Sequence, residues 1–177
     1  KREDKIAYYT TCGWMMWNWL VSGLQLGASV VLIDGSPVYP DNEILWKKIE
    51  EECITIFGTS PKYLSSIEKS GLVPKEKFSL SKLKTILSTG SPLSEENFKW
   101  VYKNVKSDLQ LSSISGGTDI ISCFMLGCTI LPIYSGEIQC RGLGMKVEAY
   151  DDIGNPLLGQ KGELVCTEPF PSSPTYF

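Results

Sequence analysis

Three short polar stretches carry residue types that could handle a phosphate: Gly58-Thr59-Ser60-Pro61, Ser88-Thr89-Gly90-Ser91-Pro92 and Ser115-Gly116-Gly117-Thr118-Asp119. Glycine lets a ligand approach the main chain, a threonine hydroxyl can bond a phosphate oxygen, and an aspartate can hold Mg²⁺. One such stretch alone is an ordinary turn, since strand-to-helix connections need Gly, Ser or Thr in any case. Three in series, uncharged except for a single Asp, outline a crevice of nucleotide size. Familiar phosphate motifs are absent. Gly142-Leu143-Gly144 lacks the third glycine of a dinucleotide fingerprint. Gly154 to Lys161, GNPLLGQK, has Gln160 where a P-loop has its lysine, and reads as a hairpin turn.

Other chemistries are excluded. The chain has no histidine in 177 residues, which removes His general bases, His triads and Cys/His zinc sites. Its six cysteines (12, 53, 123, 128, 140 and 166) form no CxxC, and most sit in apolar runs such as ISCF and ELVC. They read as reduced, structural thiols in a cytoplasmic setting. A net charge of −3 and a pI near 5.1 argue against nucleic acid as a partner. Lys75, Lys77, Lys82 and Lys84 read as a solvated face. The most apolar stretch, Gly13 to Leu26, is interrupted by Asn18, Ser22 and Gln25 and falls short of the roughly 20 residues of a membrane span. It reads as a buried helix. Trp14, Trp17 and Trp19 either line a pocket there or pack in the core, and Met15 and Met16 fit both. The start, KREDKIAYY, shows no signal peptide and no initiator Met, so the chain reads as a cut or processed piece.

The elements that must position the three stretches alternate. Ser29 to Asp34, Ile54 to Gly58, Leu83 to Ser88 and Leu109 to Ile114 are short apolar runs and read as strands. Between them Asp41 to Glu52, capped by Asp41, reads as a helix with Ile44, Leu45 and Ile49 on one face. A second helix opens at Ser60-Pro61 and carries Tyr63, Leu64 and Ile67. A third opens at Ser94-Glu95-Glu96 and carries Phe98, Val101, Tyr102 and Val105. The expected fold class is α/β, with a partial parallel sheet of at most four strands flanked by helices. After Gly136 the pattern changes to short strands in EIQCRG, MKVEAYD and GELVCTE, with turn residues between. The expected division is an α/β part over 1–132 and an incomplete β-rich, partly barrel-like part over 133–177. In parallel sheets ligands bind outside the carboxyl ends of the strands, where the three polar stretches fall.

The order of pieces resembles the large domain of the adenylate-forming superfamily, which comprises acyl-CoA synthetases, luciferases and peptide-synthetase adenylation domains. It is most similar to the acetoacetate-activating branch. The resemblance rests on YYTTCGWMMWNWLVSGLQLGASVVLIDGSP, STGSPLS, SGGTDI, GEIQCRGLGMKVEAYD and GELVCTEPFPS, and spans essentially the whole chain. It implies that Gly90, Ser91 and Pro92 border the adenine. It also implies that Ser115, Gly116, Gly117 and Thr118 surround the phosphates, with Thr118 and Asp119 as the catalytic pair and Asp119 as the Mg²⁺ ligand. Asp119 stands where most relatives have Glu. Ser115 stands where many have an aromatic stacked on adenine. Gly116 stands where acetyl-CoA synthetases have a pocket-shortening Trp, and so leaves room for a longer acyl group, with Trp14 as another wall.

The implied substrates are ATP, a short acid such as acetoacetate, and CoA. The implied products are acyl-CoA, AMP and pyrophosphate, formed through an acyl-adenylate, with no membrane span and no nucleic acid involved. The family's upstream lysine-ending phosphate loop is not among these residues, nor are its ribose-binding Asp and its C-terminal catalytic Lys. The chain is therefore expected to be an internal, inactive piece of the large N-terminal domain. A catalytically dead nucleotide-binding relative is the alternative, and an unrelated α/β interaction module is the third reading.

Overall fold

The computed structural model describes residues 1–176. Its centre is a five-stranded, all-parallel sheet in the order β2-β1-β3-β4-β5, formed by β1 (Lys5–Tyr8), β2 (Ser29–Val31), β3 (Ile56–Thr59), β4 (Thr85–Ser88) and β5 (Gln110–Ser113). The count corrects the expectation of at most four strands. β1 escapes a sequence reading because KIAY is four residues long and follows the charged run Lys1 to Asp4. Its burial comes from pairing on both edges, Ile6 with Val30 on one side and with Ile56 on the other.

Side chains alternate across this sheet, so each strand serves two cores. Ala7, Phe57, Ile86 and Leu111 meet α2 (Ile44–Glu51), α3 (Pro61–Lys69) and α5 (Glu95–Asn104). Ile6 and Tyr8 meet α1 (Met15–Ser22) on the other face. The larger core holds Trp46, Phe57, Phe98, Leu64, Ile67 and Ile86, each under 2 % exposed. Each such side chain stabilises the fold by about 1.5–3 kcal/mol through burial.

The helix starts follow local chemistry. Ser60 Oγ accepts from the Tyr63 amide at 3.2 Å with Pro61 in the first turn, and Ser94 Oγ accepts from the Asn97 amide at 3.2 Å. Asp41 does not cap α2; it closes the preceding turn by accepting from the Glu43 amide at 2.9 Å. The apolar stretch 13–26 is only partly buried. It bends from α1 into a 3-10 turn at Gly23–Leu26, and Trp14, Leu24 and Leu26 face solvent. No helix is long and apolar enough to cross a membrane among the described residues. A one-turn helix, α4 (Pro74–Lys77), precedes β4.

Two small antiparallel sheets complete the chain. One pairs β6 (Ser115–Gly117), β7 (Ser122–Leu126) and β8 (Cys140–Arg141). The other pairs β9 (Val147–Tyr150), β10 (Pro156–Leu157) and β11 (Glu163–Cys166), with β9 central. Gly154 sits in the β9–β10 turn, where Asp151 Oδ1 accepts from the Asn155 amide at 2.7 Å, as the hairpin reading requires. All six cysteines are free thiols, as expected, but only Cys123 is buried. Neighbouring apolar residues were therefore a poor guide to thiol burial.

One buried charge anchors the amino end of β1. The Asp4 carboxylate accepts from Lys84 Nζ at 3.0 Å and from Thr55 Oγ1 at 2.9 Å. Burial alone would raise its pKa, but these partners outweigh burial and hold it below the usual carboxylate range. An unfolded Asp titrates near ~3.9, above the folded value, so this stabilisation is complete at neutral pH and is lost as pH falls below about 5. Asp4→Asn is expected to cost roughly 1–2 kcal/mol at pH 7 and to flatten the acid limb of the stability curve. An unchanged acid limb in urea titrations at stepped pH would remove this role.

Candidate functional site

The carboxyl ends of β3, β4 and β5 lie in one register row, Thr59 beside Ser88 beside Ser113. The three polar stretches leave from this edge, and main-chain bonds bring their first residues together. The Thr89 amide donates to the Thr59 carbonyl at 3.3 Å, and the Ile114 amide donates to the Ser88 carbonyl at 2.9 Å. A side chain then ties two stretches directly: Thr89 Oγ1 donates to the Ile114 carbonyl at 3.0 Å. The fold thus brings Gly90-Ser91-Pro92 to the side of Ser115–Asp119. Gly90 has φ 98°, a left-handed value that a side chain would strain, and buried Leu93 pins the far end of its loop.

Thr89→Val keeps the shape but leaves the Ile114 carbonyl unpaired, at a cost of roughly 1 kcal/mol. The amides of residues 115–119 should then exchange with solvent about fivefold faster, since 1.4 kcal/mol is a factor of ten. Equal exchange in both proteins would show that the latch does not couple the loops.

Ser115 to Asp119 does not lead into a helix, as a strand-end phosphate loop would. It forms one arm and the turn of a β6–β7 hairpin, with Gly116 opposite Cys123 and Gly117 opposite Ser122. The turn closes through the Ile121 amide on the Thr118 carbonyl at 3.2 Å, and Ile121 takes φ 45°. Ile120 plunges from the turn into a cluster with Met145 and Val147, fixing the hairpin to β9. A Cβ on Gly116 would lie 2.2 Å from the Ser122 carbonyl oxygen, so the hairpin itself demands glycine there. Thr118 and Asp119 stand exposed at the tip, and neither side chain is used in a hydrogen bond or ion pair among the described residues.

Trp14 is not brought under cover: it precedes α1 in extended conformation and is 63 % exposed. Trp17 and Trp19 instead pack partly against the α1-side core with Met15 and Met16. A surface cleft lies elsewhere, among Asp41, Asn42, Gly71, Leu72 and Lys77, where Lys77 is already paired with Glu43. It holds none of the residues singled out for chemistry.

Sequence reasoning missed two features of this edge. Thr89 is one, because its partner is 25 residues away. Tyr8, the last residue of β1, is the other. It is 4 % exposed and its hydroxyl has no partner among the described residues. A visible signal existed in Gly58, whose absent Cβ would fall 2.0 Å from the Tyr8 ring. Burial pushes the phenol of Tyr8 well above its usual value and also raises the Cys123 thiol, so neither serves as a nucleophile at neutral pH.

No group of three or more potential metal ligands occurs among the described residues. Mg²⁺ usually binds through one or two carboxylates plus substrate phosphates and water. A free carboxylate beside a free hydroxyl at the hairpin tip fits that pattern.

The model of the AMP-binding enzyme family matches residues 1–176. The chain belongs to this family. Among curated relatives it is 57 % identical over 175 residues to the acetoacetyl-CoA synthetase of Gallus gallus, covering 99 % of this chain and 26 % of that protein. It is 52 % identical over 174 residues to the acetoacetyl-coenzyme A synthetase of Rhizobium meliloti (strain 1021), covering 98 % and 27 %. Among solved structures, the acetoacetyl-CoA synthetase from Streptomyces lividans superposes with a TM-score of 0.90 at 42 % identity, over 97 % of this chain and 27 % of that one. The chain thus spans about a quarter of the length of the relatives it matches. The anthranilate CoA ligase AuaEII, solved with anthranoyl-AMP, shares the fold with a TM-score of 0.81 at 17 % identity, over 93 % of this chain and 31 % of that one.

Proposed function

We propose that the chain is part of the large domain of an ATP-dependent acid–thiol ligase that converts acetoacetate, or a similar short acid, with ATP and CoA into acyl-CoA, AMP and pyrophosphate. The observation that supports this reading is the Thr89–Ile114 latch, which joins a glycine loop suited to a nucleobase to the base of the hairpin whose tip bears a free hydroxyl and a free carboxylate. The whole-length similarity to acetoacetyl-CoA synthetases supports the choice of acid.

In this reading the acid carboxylate attacks the α-phosphorus of ATP and pyrophosphate leaves. The thiol of CoA then displaces AMP. Gly90, Ser91 and Pro92 border the adenine, and Ser115, Gly116 and Gly117 let the main chain close on the nucleotide. Thr118 donates its hydroxyl to a phosphate oxygen, and Asp119 holds Mg²⁺. The bound ion supplies neutralisation of phosphate charge; the protein supplies position and fixed dipoles. No side-chain nucleophile is needed, in keeping with a chain that has no histidine. Gly116 contributes to acyl length by presenting no side chain, and Trp14 walls the entrance. The proposed division at 132/133 falls inside the small β6-β7-β8 sheet, whose β7–β8 pairing crosses it, while the last helix, α5, ends at Asn104. A cytoplasmic location accords with six free thiols.

Trapping tests the reading. The full-length protein, given MgATP, acetoacetate and hydroxylamine, should form the acyl hydroxamate that marks an activated acid. The 177 residues alone should form none. Hydroxamate from the short chain would overturn the proposal that it is inactive. None from the folded full-length protein would favour a catalytically dead nucleotide-binding relative.

A further inference from the structure

We propose that Tyr8 recognises the 3-oxo group of the acid, its phenol donating a hydrogen bond to that carbonyl; the inference rests on the acyl-activating reading above. A buried phenol almost always finds a partner, and this one has none among the described residues. Four other buried polar atoms also lack partners: Trp46 Nε1, Thr59 Oγ1, Tyr63 Oη and Ser88 Oγ. Trp46 and Tyr63 belong to the core on the α2–α3–α5 face, and strand alternation turns Thr59 and Ser88 to that same face after Phe57 and Ile86. Tyr8 is the one on the opposite face, where it packs in a cluster with Cys123 and Ile114. Cys123 pairs with Gly116 across the hairpin, and Ile114 leads into that hairpin. Tyr8 therefore shares its cluster with the residues at the base of the hairpin that carries Gly116, Thr118 and Asp119.

The ring is preset. One side lies over Gly58, where a Cβ would collide at 2.0 Å, and Trp19 meets it edge-on at 6.1 Å and 78°. Met15, Met16, Leu20 and Cys123 belong to the same apolar cluster. An apolar wall with one fixed donor suits a short acid bearing one acceptor beyond its carboxylate. A plain alkyl acid of the same length offers nothing to that donor. Because burial keeps the phenol protonated across the working pH range, the donor does not switch off.

The test is Tyr8→Phe in the full-length protein, with ATP–pyrophosphate exchange measured on acetoacetate and butyrate side by side. The expected result is a loss of about tenfold in kcat/KM for acetoacetate with butyrate unchanged or improved, because a site built to bond a polar group discriminates against its absence. The thermal midpoint should hold or rise, since the substitution removes an unpaired hydroxyl. A merely structural role would move both acids together. Equal losses on both acids, or no loss on either, overturn the role of Tyr8 and leave the acyl-activating reading standing. No exchange by the unsubstituted protein with any acid overturns that reading and this inference with it.

Discussion

Replacing Asp119 by alanine in the full-length protein is expected to lower acid-dependent ATP–pyrophosphate exchange by roughly 10²- to 10³-fold, the range seen when one preset charge-stabilising group is removed. Stability should barely change. The Asp119 carboxylate is exposed and takes part in no ion pair or hydrogen bond among the described residues, so the fold does not depend on it. The turn that carries it is held by other groups: the Thr118–Ile121 main-chain bond and the buried Ile120. A free carboxylate on a rigid turn is what a Mg²⁺–phosphate complex requires from the protein. Asp119→Glu should therefore keep most activity, and Asp119→Asn should fall between. The loss should ease at high Mg²⁺ concentration, because a weaker site fills at higher metal. Exchange by Asp119→Ala at the unmodified rate, with the unmodified Mg²⁺ dependence, would remove the metal role and reduce the tip to a turn.

Trp46→Ala is expected to have the largest effect on stability, roughly 3–5 kcal/mol. Trp46 is 0 % exposed and lies between β3 and α3, with ring centroids 6.1 Å from Phe57 and 6.3 Å from Tyr63. Alanine leaves a cavity at the junction of three elements, none of which can collapse without breaking sheet pairing. The consequence reaches the site, since β3 and α3 flank the Thr59-Ser60-Pro61 connection. Trp46→Phe should cost far less, as it retains aromatic volume and gives up an indole N–H that has no partner. The urea midpoint of the full-length protein measures both. A midpoint for Trp46→Ala within about 1 kcal/mol of the unsubstituted protein would contradict this account of the core.

What the sequence made legible was local. Ser60-Pro61 and Ser94-Glu95-Glu96 announce their helices because capping needs only the next three residues. The apolar runs of β2 to β5 stand out against their polar neighbours. β1 did not, because a four-residue strand becomes central only when β2 and β3 flank it. The hairpin nature of Ser115–Leu126 was hidden for a similar reason. Nothing in SGGTDIIS announces that Gly116 faces Cys123, or that Ile121 adopts a left-handed turn. Gly90, Thr118 and Asp119 were nominated by type and position alone, whereas the Thr89 latch and the packing of Tyr8 over Gly58 depend on residues distant in sequence. Trp14 shows the limit of composition: a tryptophan in an apolar stretch suggested a pocket wall or a core residue, and its exposure of 63 % sets aside the core reading.

The central claim is that this segment belongs to an enzyme that activates a short acid on ATP. ATP–pyrophosphate exchange in the full-length protein, with acetate, acetoacetate, butyrate and a long fatty acid compared, tests it most directly. The account predicts exchange that requires both acid and Mg²⁺ and is strongest with acetoacetate. A folded protein that exchanges with none of the four acids would contradict it.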